Sequence, residues 1–262
     1  APARPGLRKR DCGAVPGVTT RIAMWSGPRN LSTALMRAFE RRADTEVLDE
    51  PMYAHYLIHT GLEHPGRQAI VRSQPQTWPA LLEWIQGDPP GGAPVWFHKQ
   101  MAHHVLPEVM GWAWLADFTH AFLIRNPAEV IASYIRRRPN PTLRDLGFET
   151  QLALFERAGK QSGVTPPVLC VQDLLRDPAS ALACLCASLH LRFDPVMLTW
   201  PRGRRSTDGV WAVHWYDAVE ASTGFRPSTH HQPVALDPVY QPLLQRAQEL
   251  QQPLWEARLR PS

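Results

Sequence analysis

RIAMWSGPRNLSTALMRAF, residues 21–39, runs from an apolar stretch straight into Gly, Pro and Arg and out again into apolar positions at helical spacing. Arg21–Trp25 is apolar after its first residue, as in a strand covered on both faces. Beyond the loop, Leu31, Ala34, Leu35, Ala38 and Phe39 repeat with a helical period, and Arg37, Glu40, Arg41 and Arg42 fall largely between them. A loop at such a junction aims backbone N–H groups and the positive end of a helix dipole at one spot, which suits an anion. Gly27 permits close approach of the backbone, Arg29 adds a planar charged fork, and Ser32 and Thr33 add hydroxyls. The Walker pattern G-x-x-x-x-G-K-[ST] is not met, because there is neither a second glycine nor a lysine before Ser32, and an ATP- or GTP-cleaving site is disfavoured. The plainer reading of the segment is a strand–helix turn capped by a serine.

Working outward, similar short runs recur at Glu46–Leu48, Val95–His98, Ala121–Ile124 and Val168–Val171, with helical patterns between them. Pro127 sits where a first helical turn begins, and Asp177-Pro178 opens a helix that continues to about His190. A further helix is expected from about Pro238 to Arg258. Alternation of this kind predicts an α/β fold: three layers, doubly wound, around a mainly parallel sheet of about five strands, in the manner of P-loop nucleotide-binding domains. Ligands in such sheets bind where strands end and helices begin. Residues 192–235, rich in Arg, Trp, His and Gly, read as an irregular segment over that edge. Residues 1–19 read as a mobile arm and 20–262 as one domain.

The chain has 262 residues and a formal net charge of +4. Its basic residues are scattered apart from 7–10, 136–138 and 202–205, a balance that suits a small polyanionic ligand better than nucleic acid. Cys12, Cys170, Cys184 and Cys186 have neither disulfide-framework nor metal-ligand spacing, so a reducing, cytoplasmic compartment and a site without metal are expected. No run approaches the roughly 20 apolar residues of a membrane helix, and no membrane partner is expected. The oligomeric state is left open, a homodimer included.

Taken together, four segments resemble the sulfotransferase family, whose members use 3′-phosphoadenosine 5′-phosphosulfate. GPRNLSTALM resembles the family's 5′-phosphosulfate loop, commonly P-[RK]-S-G-[ST]-T, with Gly27 and Pro28 before it, Arg29 at the basic position, Ser32 and Thr33 at the hydroxyl positions, and Asn30-Leu31 in place of Ser-Gly. FLIRNPAEVIASYI, residues 122–135, resembles the 3′-phosphate motif, with Arg125 and Ser133 at the family's spacing. VLCVQDLLRDPASALACL, 168–185, is similar to the fifth-strand segment. PRGRRSTDGVWAVHWY, 201–216, is similar to the late loop that closes on the nucleotide, which makes Arg202, Gly203 and Arg204 candidates there. The resemblance covers roughly residues 20–215.

It implies a sulfotransferase that carries a sulfuryl group from this co-substrate to a hydroxyl of a small-molecule acceptor, without a metal. Such transfer needs a base for the acceptor's proton and donors for the developing charge. Glu50, after the second strand, is nominated by topology and by the tyrosylprotein branch of the family, with Asp49 as a neighbour able to exchange roles. Lys99, at the end of the third strand, resembles that branch's lysine, and His98 shares the locality of the histidine that cytosolic members carry; His103 and His104 stay open as bases. The alternatives are a P-loop nucleotide kinase or NTP hydrolase, and a nucleotide-binding protein without turnover.

Overall fold

In a computed structural model, residues 19–226 and 234–261 are described. The expected arm therefore lies, except for residue 19, outside them, as does the stretch 227–233 of the late segment. Five strands, β1 (Thr20–Ser26), β2 (Thr45–Asp49), β3 (Val95–Met101), β4 (Thr119–Ile124) and β5 (Val168–Cys170), form one sheet in the order β2-β3-β1-β4-β5, with every pairing parallel. The expected α/β fold class is correct.

The alternation of side chains across the pleat divides β1 between two cores. Ile22 and Met24 pack on the first helix, α1 (Ser32–Glu40), in a cluster with Leu35, Phe39, Phe97 and Leu123. Ala23 and Trp25 face the other side with Trp114, Phe122, Ile124 and Leu254. Phe39 of α1 stacks on Phe97 of β3 at 4.1 Å between ring centroids. Each large side chain so enclosed contributes about 1.5 to 3 kcal/mol of transfer free energy, and both faces of β1 collect it, which is why its sequence shows no polar alternation.

Several boundaries differ from the sequence reading. β3 continues past His98 to Met101 because Lys99, buried, is neutralised by neighbouring carboxylates, so a charge ends the apolar run without ending the strand. β5 stops at Cys170 and turns at once into a short helix, Val171–Arg176, ahead of the expected one, which spans Pro178–Ser188 with its start capped by Asp177 through the Ser180 N–H at 3.0 Å. The last helix runs Gln241–Glu256 after a 3-10 turn at Pro238–Tyr240, and packs Ala247, Leu250 and Leu254 inward. Between β2 and β3, where a helical pattern is expected without bounds, the chain forms three helices, Tyr53–Thr60, Arg67–Ser73 and Trp78–Gln86.

The topology fixes where a ligand goes. From β1 the chain moves toward β2, and from β4 it moves the opposite way, toward β5. The crevice above the carboxyl ends of β1 and β4 is thus the switch point of the sheet. The loop 27–31 leaves β1 there and Arg125 leaves β4.

Candidate functional site

A cavity of about 500 Å³ lies over this edge and is lined by the loop, by the ends of β3 and β4 and by the late segment. That volume suits a small-molecule ligand.

The loop begins at Gly27, which does not itself line the cavity. A Cβ on this residue would stand 2.6 Å from the carbonyl oxygen of Leu146, so only glycine lets the loop lie this low. Next door, a Cβ on Gly147 would stand 3.1 Å from the His103 backbone nitrogen. Arg29 and Leu31 both take left-handed backbone conformations, with φ 64° and 60°. Each costs a non-glycine residue about 1 kcal/mol, and such turns gather N–H groups into an anion-binding concavity. Leu31 therefore adopts the conformation a glycine would supply at the family position, while its side chain packs against the α1 core. α1 starts at Ser32 with no side chain capping its first N–H groups. Pro28, Arg29, Asn30, Leu31, Ser32 and Thr33 line the cavity, and Asn30, 2% exposed, keeps its Oδ1 without a partner.

At the end of β4, Arg125 donates through Nη1 to the Arg29 carbonyl at 3.0 Å and through Nε to Glu129 at 2.7 Å. Arg29 Nε donates to Ser133 Oγ at 2.9 Å. Asn126 caps the helix Pro127–Ile135 by accepting the Ala128 N–H, so Asn-Pro starts the helix while Arg125 and Ser133 face the ligand space. Burial, followed by the charges of Arg137, Arg125 and Arg136, holds the Arg29 guanidinium below its ordinary pKa. Positive charge is concentrated here, and an anion would relieve it.

A third group sits at the ends of β2 and β3, where the register sets Asp49 beside Lys99. Lys99 Nζ donates to Asp49 Oδ1 at 2.9 Å, to Glu50 Oε1 at 2.5 Å and to the Tyr216 hydroxyl at 2.6 Å. Tyr216 also reaches both Asp49 oxygens at 2.8 Å, and the Gly209 N–H donates to Asp49 Oδ2 at 3.0 Å. Burial alone would lower the Lys99 pKa, but Asp49 and Glu50 outweigh it and hold the ammonium well above its usual range. Burial raises Glu50 above the usual carboxylate range despite the pull of Lys99. Glu50 is thus a carboxylate with increased proton affinity beside a fixed cation, an arrangement able to take a proton from a hydroxyl. Its left-handed backbone, φ 40°, is held by its N–H on the Lys99 carbonyl at 2.9 Å and by Gln74 Nε2 on its own carbonyl at 2.9 Å.

The structure separates the remaining candidates from this group. His98, one residue before Lys99, points through the opposite face of the sheet, where it is fully buried against Trp96 and Phe118 and depressed to about 3 by burial. Its expected role as a base is corrected on that ground: it has no access to the cavity. His103 and His104 do line the cavity, in the 3-10 turn Ala102–His104, yet burial depresses His103 to about 3 and His104 well below its ordinary value. Arg202, Gly203 and Arg204 lie off the cavity, the two arginines exposed and the Gly203 N–H bonded to the Glu220 carbonyl; the late-segment cation that lines it is Arg226. Asp49, Tyr53, His64, Arg138 and Tyr216 complete the site; the carboxylate beside Glu50, the basic run 136–138 and the aromatic residues after Glu50 and in the late segment carried a sequence signal, and His64 carried none. Among the described residues no cluster of His, Cys, Asp and Glu is arranged to hold a metal ion, and no helix is long and apolar enough to cross a membrane.

A family profile described as "Sulfotransferase domain" matches residues 20–249. The curated relatives include two proteins of Arabidopsis thaliana, branched-chain-amino-acid aminotransferase-like proteins 1 and 2, which are 34% identical over 207 residues and 33% over 205. Each alignment covers 78% of this chain but 36% of the relative, so the chain spans about a third of their length. Among solved structures, the sulfotransferase domain from the curacin biosynthetic pathway superposes with a TM-score of 0.50 at 17% identity, over 88% of this chain and 97% of that one, a likeness of fold.

Proposed function

The chain belongs to the sulfotransferase domain family, and from that premise we propose that it transfers a sulfuryl group from 3′-phosphoadenosine 5′-phosphosulfate to a hydroxyl of a small molecule. The observation that carries the reading is the contact between its two anion elements. Arg29 of the β1 loop bonds Ser133, Arg125 bonds the Arg29 carbonyl, and Lys99 with Glu50 opens onto the same cavity. A donor with phosphate groups at both ends of a ribose suits two cationic seats joined side by side, and the uncapped N–H groups at the start of α1 are donors that such an anion would satisfy.

When bound, the donor supplies the sulfuryl group. The loop N–H groups, Arg29, Ser32 and Thr33 hold its 5′ end, and Arg125 with Ser133 holds the 3′-phosphate. Lys99 stabilises negative charge on the oxygens in transit, and Glu50 receives the acceptor's proton. Asp49 and Tyr216 keep Lys99 in place. The names of the curated relatives concern proteins about three times the length matched and leave the acceptor open.

The test is thermal stabilisation by adenosine 3′,5′-bisphosphate against ATP with Mg²⁺. A bisphosphate at a hundred times its Kd should stabilise the chain by about 2.7 kcal/mol, and Arg125→Ala should sharply reduce this. Stabilisation by ATP–Mg²⁺ alone would overturn the reading; a bisphosphate shift unaffected by Arg125→Ala would overturn the placement of the 3′-phosphate.

A further inference from the structure

Three residues that line the cavity have no role in the chemistry above: Tyr53, His64 and Arg138. They form a chain. Arg138 Nη1 lies 2.8 Å from His64 Nε2, and His64 Nδ1 lies 2.7 Å from the Tyr53 hydroxyl.

Donor and acceptor rules settle the direction of each bond. A guanidinium only donates, so His64 Nε2 accepts. Burial and then Arg138 depress His64 to about 4, so the ring is neutral at pH 7 and its single N–H sits on Nδ1, from which it donates to the Tyr53 oxygen. Tyr53 accepts that bond, which leaves its own proton to be donated to an acceptor in the cavity it lines. Arg138 has no carboxylate within ion-pair distance among the described residues. Asp145, whose charge reaches this group, is engaged by the Thr142 N–H and hydroxyl at 2.8 and 2.7 Å. Nearby, His104 is 1% exposed, stacks on Tyr53 at 4.6 Å and has an unpartnered Nδ1.

Among the described residues no hydrogen bond joins these three side chains to Arg29, Arg125 or Ser133, whose own side-chain bonds run among themselves and to Glu129. Arg138 acts on Tyr53, Tyr56, His64 and His103, and also on Tyr134, next to Ser133. Tyr53 begins the helix Tyr53–Thr60, with its N–H on the Glu50 carbonyl at 3.1 Å. An oriented phenol therefore stands beside the proposed base, and one histidine away lies a guanidinium with no carboxylate partner among the described residues.

We propose that Arg138 and Tyr53, the latter oriented by His64, form an anion-anchoring subsite for the acceptor, and that the preferred acceptors are small hydroxylated carboxylic acids. One guanidinium fork with one phenolic donor matches a planar carboxylate. The proposal rests on the sulfuryl-transfer reading for the word acceptor; the subsite itself is testable without it.

The test uses the full chain and matched pairs: 4-hydroxybenzoate, 4-hydroxyphenylacetate and 3-hydroxybutyrate, each against its methyl ester. Binding is measured by calorimetry with and without adenosine 3′,5′-bisphosphate, and kcat/KM with labelled donor. At least one acid should bind about 10-fold or more tightly than its ester. Arg138→Met should raise the Kd of that acid by about 10- to 100-fold and bring the pair near parity while the bisphosphate Kd stays as it was. Arg138→Lys, which keeps the charge and loses the fork, should fall between, and Tyr53→Phe should cost several-fold. Circular dichroism and melting of each variant show that it is folded, and the Lys variant carries the test if the Met variant is not. Esters binding as well as acids, no member of any pair binding, or Arg138→Met weakening the bisphosphate instead would overturn the subsite. Should the bisphosphate fail to bind the unaltered chain, the functional reading fails, and the acid-over-ester preference of the nucleotide-free chain still decides the subsite.

Discussion

Glu50 shows how much one residue's placement decides. It follows β2 directly, and its left-handed backbone turns the carboxylate back onto Lys99 instead of continuing away along the chain. Replacement by Gln keeps the shape and removes the proton acceptor. Glu50→Gln is expected to lower turnover by about 100-fold or more while bisphosphate affinity persists, read by steady-state kinetics and calorimetry. Near-normal turnover would remove Glu50 from the role. Because burial raises this group, the acid limb of the kcat/KM profile should fall at higher pH than an ordinary carboxylate near 4.5 would give. Glu50 and Lys99 were legible because sequence order sets both near the carboxyl ends of neighbouring strands and the family resemblance names a glutamate and a lysine there. His98 was misjudged because a single step along a strand exchanges one face of the sheet for the other, and a run buried on both faces carries no alternation to tell them apart. At Leu31 the letters hid a backbone that φ reveals.

The late segment is the element whose position the sequence disclosed least. It is fastened by charges far apart in the chain. Asp208 Oδ2 pairs with Arg37 of α1 at 2.6 Å, with the Arg37 and Asp208 side chains 1% and 0% exposed, and Thr207 bonds Glu40 at 2.5 Å. Gly209 and Tyr216 are fastened to Asp49. PRGRR has no period, and nothing local decides whether its arginines face a ligand or water, so the assignment of 202–204 depended on motif spacing alone. The fastening points carry a prediction. Asp208→Ala leaves the buried Arg37 with only Glu40, at 3.5 Å, and should cost about 3 kcal/mol, read as a fall in the urea midpoint, with hydrogen exchange rising first in residues 205–216. An unchanged midpoint and unchanged exchange there would mean that the segment is held by its apolar contacts.

At the scale of the whole molecule, the histidines govern the response to acid. Burial depresses His98 to about 3, and His55 and His120 to about 4. His120 shows the reason in its bonds: it accepts from Trp25 Nε1 at 2.9 Å and pairs with the Leu115 carbonyl at 2.9 Å, which fits the neutral ring. Near pH 6.5 the unfolded chain begins to bind protons that the folded chain refuses. These groups therefore contribute stability that is complete above about pH 6.5 and is lost as pH falls toward 4. Each adds a slope of about 1.4 kcal/mol per pH unit in that window. Urea midpoints taken between pH 7 and 4.5 should fall steeply, and His98→Phe should remove about one proton's worth of the slope; an unchanged slope would contradict the assignment. The composition counts the histidines, but only packing shows which of them are enclosed.

Leu146 and Gly147, consecutive residues, support both ends of the cavity: the first lies under Gly27 of the phosphate-type loop and the second under His103. The Leu146 carbonyl and the Gly147 nitrogen belong to one planar peptide unit, so a shift of one carries the other with it. If an occupant of the loop moves that unit, its effect reaches the histidine side, and reciprocity would then require an occupant there to change the loop's affinity by the same factor.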